Sequence, residues 1–507
     1  VNTSLPAFPE IRTTLGIVRG AASAGVASFR GIPYAQPPVG PLRFAAPAPA
    51  LPWDGARDAL SFGPAAPQPC LGMTLPTGGP GTADEHEWLT VNVWTPDPGS
   101  ADLPVLVWFY GGAYLAGDGS VPTFDGARLA HEGHVVVVSF NYRVGVEGFA
   151  HLDGAVANRG LLDQVAALHW VRENIGAFGG DPRCVTAFGQ SAGAGSIAAL
   201  LAMPSASGLF QRAILQSVPR LYFTSELARD IAGKIAAQVG RPAEAAALGE
   251  LTPQQLVDAG SSLTAKMLQY ADRWGPVAEA MLPFAPVVDG EVLPQDPWAA
   301  VATGSARDTE LLIGHTRDEY RLNLVAGGLL GRIGEEQAEH ALRTFVPGPD
   351  PVIAYRAAHP SADAGTLYEL AHSDWLFRMP TVRLAQAHTG SGGTTYLYEY
   401  AHTARELGGV FGACHGSEVP LVFGTYTPGV ANPFHSDPPA PETEVLGALM
   451  RQTWADFAAT GMADWRRYSP EARLTRIFDT GSSVTRYPHE AARAIWAGHP
   501  MAALGLH

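Results

Sequence analysis

Two kinds of apolar pattern alternate along the chain. Short unbroken runs rich in β-branched residues, 105–110 (VLVWFY) and 135–143 (VVVVSFNYR), predict buried strands. A strand covered on both faces has no side on which polar residues are needed. The stretch 161–178 instead sets Leu162, Val165, Leu168, Val171 and Ile175 three or four residues apart, the spacing of one helix face. CVTAF (184–188) predicts another strand. It runs into Gly189-Gln190-Ser191-Ala192-Gly193 and then into a helical pattern over 194–203. RAILQSV from Arg212 and ELLIGHT from Glu310 predict two further strands. This alternation predicts an α/β fold, with a large, mostly parallel central sheet and helices on both faces. Helical patterns also fill 225–280 and 335–379. No Gly/Ser/Pro-rich linker isolates them, so they are expected to be insertions over the active-site side of one domain spanning 1–507. The Pro-dense stretches 347–351 and 433–441 predict loops.

Composition narrows the field. With 507 residues, 46% hydrophobic and 16% charged, the chain can bury a large core and is not disordered. A net charge of -15 and the lack of any Lys/Arg block argue against nucleic acid or an anionic membrane as partner. No apolar run approaches the ~20 residues of a membrane span. The first residues lack a basic stretch followed by an apolar one, which points to a cytoplasmic protein, or a secreted one whose signal peptide has been removed. Cys70, Cys184 and Cys414 lie far apart with no CxxC, which speaks against a zinc site and a disulfide framework.

The candidate chemistry sits at the serine. GxSxG between a strand and a helix makes a turn so tight that small residues are needed two positions either side of Ser191. The helix that follows presents the Ala192 N–H toward developing negative charge. A serine hydroxyl needs a base to take its proton. Of sixteen histidines, His415 stands out because GACHGSEVP leaves its imidazole free to reach into a site, whereas His402 and His435 occupy ordinary loop contexts. An orienting acid should follow a strand, and ELLIGHTRDEY offers Asp318 and Glu319. Gly111 and Gly112, directly after a buried strand, allow backbone N–H groups to approach an oxyanion.

These residues, together with FRGIPYAQPPVGPLRF, WLTVNVWTP, FNYRVGVEGF, NRGLLDQVAALHWVRENIGAFGGDP, GLFQRAILQS, APVVDGEVLP, HGSEVPLVFG and WADFAATG, run in order from Phe29 to Gly461. In them the chain resembles the type-B carboxylesterase and cholinesterase-like family of the α/β-hydrolase fold, in its bacterial para-nitrobenzyl-esterase-like form. The resemblance implies a serine carboxylesterase that needs no cofactor or metal and acts on a small-molecule ester as a monomer or small homo-oligomer. It implies Ser191 as nucleophile, Glu319 rather than Asp318 as acid and His415 as base. Gly111, Gly112 and Ala192 become oxyanion donors, and Ser217 a buried serine beside the triad.

Four positions depart from the family pattern. Tyr110 replaces the usual His before Gly111-Gly112. Gln190 replaces an acidic residue, which removes a negative charge that would attract cationic esters. Trp88 replaces a cysteine, so Cys70 is expected to be a free thiol. Tyr320 replaces the glycine after the acid. Carbamate or aryl-amide hydrolysis by the same residues, or a binding protein without activity, are the alternatives. Gly111-Gly112-Ala113-Tyr114 also fits a loop pattern that, by resemblance, accompanies tolerance of bulky and tertiary alcohols.

Overall fold

The central strands carry almost no exposed side chain, so they must be covered on both faces. The computed structural model describes residues 5–69, 86–100, 102–403, 405–427 and 432–507. Among them, eleven strands form one sheet: β1 (Ala21–Ser23), β2 (Val26–Pro33), β3 (Thr90–Thr95), β4 (Leu103–Phe109), β5 (Val136–Phe140), β6 (Gly180–Gln190), β7 (Arg212–Gln216), β8 (Glu310–Thr316), β9 (Thr395–Tyr400), β10 (Leu474–Phe478) and β11 (Ser483–Arg486). Their order in space is β11-β10-β9-β8-β7-β6-β4-β5-β3-β2-β1. β4 to β10 run parallel. The pairs β1/β2, β2/β3, β3/β5 and β10/β11 are antiparallel. The expected parallel sheet is therefore the centre of a mixed one.

This order fixes where a ligand can sit. From β4 the chain goes to β5 on one side, then crosses back to place β6 on the other. Every later parallel strand is added outward from β6. The carboxyl ends of β4 and β6 thus flank a topological switch point, where connections leave in opposite directions and open a crevice. Gly111 follows β4 and Ser191 follows β6.

Helices cover the sheet. In α1 (Arg159–Asn174) the buried residues include Leu161, Val165, Leu168 and Val171, together with Asp163 and Gln164. The inward leucine is Leu161, not Leu162, because the helix is also fixed by a polar contact. Asp163 pairs at 2.8 Å with Arg143, which follows β5, and both side chains are fully buried. α2 (Ala192–Leu200) begins immediately after Ser191 and is buried throughout.

The segment 225–280 contains α3 (Ser225–Gln238) and α4 (Pro253–Thr264). Thr224 caps the first, and Thr252 with Gln255 forms a capping box on the second. The segment 335–379 contains α5 (Glu335–Phe345), Pro351–Ala358 and α6 (Ala364–Ser373). α6 runs on through a π-helical turn, Asp374–Arg378, into α7 (Met379–Gly390). The two Pro-dense loops end earlier than expected. Pro351 and Pro441 each open a helix, the second being α8 (Pro441–Thr460), since proline lacks only an N–H that the first turn leaves unpaired anyway. Among the described residues, no helix is long and apolar enough to cross a membrane. Among the same residues, no group of three or more His, Cys, Asp or Glu could hold a metal ion.

Candidate active site

Ser191 sits at φ 58° and ψ -126°, a region that non-glycine residues enter only when the surroundings enforce it. The enforcement is visible on both sides. A Cβ on Gly193 would lie 1.9 Å from the Phe109 carbonyl oxygen, and one on Gly189 would lie 2.7 Å from the same atom. The turn is thus pressed against the end of β4, which only glycine allows. The Ser191 N–H donates to the Gln216 carbonyl at 2.9 Å, tying the turn to β7.

The loop after β4 lies alongside. A Cβ on Gly111 would come within 2.9 Å of the Ser191 Cβ. Gly112 has φ +125°, and its Cβ would meet the Ala116 carbonyl oxygen at 2.0 Å. Its own carbonyl accepts from the N–H groups of Leu115 at 2.9 Å and Ala116 at 3.1 Å, so it is turned away from the serine. The N–H groups of Gly111, Gly112 and Ala192 make no hydrogen bond among the described residues. Tyr110 explains how the loop is held without the family's histidine. It stacks on Tyr142 with centroids 4.4 Å apart. The Tyr142 hydroxyl donates to the Tyr110 carbonyl at 2.8 Å, and the Tyr110 hydroxyl donates to the Tyr142 carbonyl at 3.2 Å.

Asp318 and Glu319 follow β8, and alternation along an extended chain separates them. The two loops pair through the backbone: the Asp318 N–H donates to the Ala413 carbonyl at 2.9 Å and the His415 N–H to the Glu319 carbonyl at 3.3 Å. Asp318 turns to the Ala413 N–H at 2.9 Å and the Arg317 guanidinium at 2.8 Å. Glu319 turns inward. Its Oε2 accepts from His415 Nδ1 at 2.6 Å. Its Oε1 accepts from the Ser217 hydroxyl at 2.6 Å and the Thr316 N–H at 2.8 Å. Burial opposes its charge, but the His415 ring and these donors outweigh that and hold its carboxyl below the ordinary range.

With Nδ1–H committed to Glu319, His415 Nε2 carries the lone pair. It lies 2.9 Å from the Gln190 amide nitrogen, and Phe377 stacks on the ring at 4.0 Å. Ser191, Ala192, Gln190 and His415 line one cavity of about 460 Å³. Its remaining walls are largely apolar, including Leu115, Val121, Phe124 and Leu282, and among the described residues no Asp, Glu, Lys or Arg lines it.

The other histidines weighed in the sequence turn elsewhere. His435 Nε2 donates to the Ser417 carbonyl at 3.0 Å, and His402 Nε2 pairs with the Thr443 hydroxyl at 3.1 Å. Cys184 and Cys414 are free thiols. Trp88 is buried, and Cys70 lies outside the described residues. The pattern missed Glu418, three residues after His415. Glu418 is fully buried, and burial pushes its carboxyl up to about 7. No periodicity marks it, because its burial comes from β7 and α8 folding over a loop.

A nucleophile elbow at a switch point, with a carboxylate-held imidazole at the same sheet edge, defines an α/β-hydrolase. The model of the carboxylesterase family matches residues 7–346 and 354–490, and the chain belongs to that family of carboxylic ester hydrolases. It is 36% identical over 497 residues to para-nitrobenzyl esterase of Bacillus subtilis, covering 95% of this chain and 97% of that one. It is 34% identical to phenmedipham hydrolase of Pseudarthrobacter oxydans, covering 94% and 97%. A solved carboxylesterase of Geobacillus stearothermophilus superposes with a TM-score of 0.82 at 36% identity, over 96% of this chain and 99% of that one.

Proposed function

We propose that Ser191 is the nucleophile, His415 the base and Glu319 the orienting acid of ester hydrolysis. The Ser191 hydroxyl attacks the ester carbonyl as His415 Nε2 takes its proton. Glu319 holds the imidazole by Nδ1 and balances its charge once protonated. The N–H groups of Gly111, Gly112 and Ala192 receive the oxyanion, each donor being worth roughly 10²–10³-fold. His415 then protonates the leaving alcohol, and water repeats the cycle on the acyl-enzyme. The observation that carries this reading is the 2.6 Å contact between His415 Nδ1 and Glu319 in the cavity that Ser191 lines.

In the free enzyme the Gln190 amide occupies Nε2. Binding of an ester must therefore let the Ser191 hydroxyl take over that lone pair. An uncharged, largely apolar cavity suits neutral esters. The aside-turned Gly112 carbonyl leaves room for branched alcohols, tertiary ones included. Carbamates are the second reading, favoured by the phenmedipham hydrolase relative.

The test is a panel of p-nitrophenyl esters from acetate upward with one carbamate and one anilide, plus tert-butyl and n-butyl acetate, using Ser191→Ala as blank. Ester cleavage that the substitution lowers by at least about 10³-fold is expected. A Ser191→Ala variant within about tenfold of the parent would reject the assignment.

A further inference from the structure

His372 and Trp375 line the same cavity but belong to none of the roles above. Both are more than nine-tenths buried, with 5% and 2% of their surface exposed. His372 lies in the last turn of α6 and Trp375 in the π turn that follows, three residues on. Both rings pack on Phe345, at 4.4 and 4.8 Å, so one ring links the two.

The polar atoms of this pair are open to the cavity. His372 Nδ1–H donates to the Tyr368 carbonyl at 2.8 Å, which fixes the tautomer and leaves the lone pair on Nε2. Nε2 has no hydrogen-bond partner among the described residues, and neither does the Trp375 indole N–H. Burial lowers the His372 imidazole to about 4, so it is uncharged at neutral pH. Tyr320, which stands where the family has glycine, stacks on His372 at 4.2 Å. Its N–H donates to the Ser373 hydroxyl at 3.1 Å. The ring of His372 is therefore clamped from the acid loop and cannot turn to another partner.

An acceptor and a donor without protein partners on an otherwise largely apolar cavity wall offer hydrogen bonds that a matching ligand group can take up. We propose that His372 Nε2 and the Trp375 indole N–H form a polar subsite for a second, uncharged function of the substrate that both donates and accepts a hydrogen bond. Secondary amides and hydroxyls have that chemistry. This rests on the hydrolytic reading of Ser191 and names a substrate class for it. Phe377, which stacks on His415, lies five residues beyond His372. At about 1.5 Å per residue, and less across the π turn, the subsite lies within roughly 8 Å along the helix axis of the ring that stacks on the base. A second function up to about six bonds from the reacting carbonyl covers that span, at a chain reach of roughly 1.2 Å per bond.

The experiment compares p-nitrophenyl hexanoate with its 6-hydroxy, 6-acetamido and 6-(N-methylacetamido) derivatives. Hexyl acetate and its 6-acetamido derivative form the alcohol-side arm. In the parent enzyme the secondary amide should exceed its N-methyl counterpart in kcat/KM by about tenfold, because only the former can donate to Nε2. The ratio of 6-acetamido to plain ester should fall about tenfold in His372→Phe and Trp375→Phe in at least one arm. It is read within each variant, so a general loss of activity cancels. Equal cleavage of the secondary and N-methyl amides by the parent, or ratios that both variants leave unchanged, would overturn the subsite. If the parent cleaves none of the plain esters, the hydrolytic assignment falls instead.

Discussion

Glu319 and Glu418 are two carboxylates in one buried neighbourhood, 0% and 1% exposed, yet they settle on opposite sides of the ordinary range. Glu319 receives a serine hydroxyl, a backbone N–H and the His415 ring. Glu418 receives one donor, the Gln216 amide at 3.0 Å. Its Oε2 has no partner among the described residues. Burial is common to both. The charge of the His415 ring and the donors aimed at Glu319 outweigh its burial, whereas Glu418 has one donor against burial and the repulsion of Glu319. A charged carboxylate can steady an imidazolium, whereas one that keeps its proton to about 7 cannot do so below that pH.

Neutralising each carboxylate in turn tests this contrast. Glu319→Gln should lower kcat about 10³–10⁴-fold, because an amide can neither select the tautomer nor balance the charge. Glu418→Gln at pH 6 replaces a group already largely protonated, so a loss as large as that of Glu319→Gln would break the contrast. Stability is the next readout, and its signs are opposite. The Glu418 carboxyl is raised from 4.5 to about 7, so the folded state holds a proton the unfolded chain has released. Stability then falls as pH rises across that window, by somewhat more than about 3 kcal/mol at most. Glu319 is lowered, so its contribution is present above the unfolded value and fades as pH drops through the folded one. Urea unfolding at pH 5.5 and 8.5 should find Glu418→Gln gaining about 2 kcal/mol on the parent at the higher pH relative to the lower. Equal differences would mean that Glu418 is ionised throughout.

Ser217→Ala takes one donor from Glu319 and moves it toward the condition of Glu418. An activity loss of about tenfold is expected, since hydrogen bonds to charged groups are worth about 1.5–3 kcal/mol and water replaces part of that. The smallest effect is at Gln190. Gln190→Glu sets a carboxylate against the far nitrogen of His415 and favours its protonated form. The acid limb of kcat/KM against pH should move up by about one unit, while Gln190→Ala should leave it within a few tenths of a unit of the parent.

The central strands were legible because continuous apolar runs leave little else for 105–110 and 135–143 to be. The serine turn was legible because its glycines answer to a steric demand at Phe109. Asp318 and Glu319 were not separable from spacing, since both follow the same strand. Only the pairing with Ala413 and His415 turns one outward and one in. The antiparallel strands β1 to β3 were not legible either. VASFRGIP bends at a register shift between Phe29 and Ile32, which breaks any simple alternation. His372 and Trp375 look like core aromatics in sequence, and nothing local says that their nitrogens lack partners.

The π turn Asp374–Arg378 has a consequence for how this chain can change in length. It places the residues after it out of step with α6 by about one position, or roughly 100° of rotation. Phe377 meets His415 only in that phase, and Arg378 reaches Asp374 at 3.0 Å within the core. Deleting a single residue there would let the helix run on in regular hydrogen bonding, yet it would swing the Phe377 ring off the imidazole and carry the start of α7 around with it. Insertions and deletions that surface loops absorb freely are therefore barred at this turn, and length variants of the chain should keep its five residues intact.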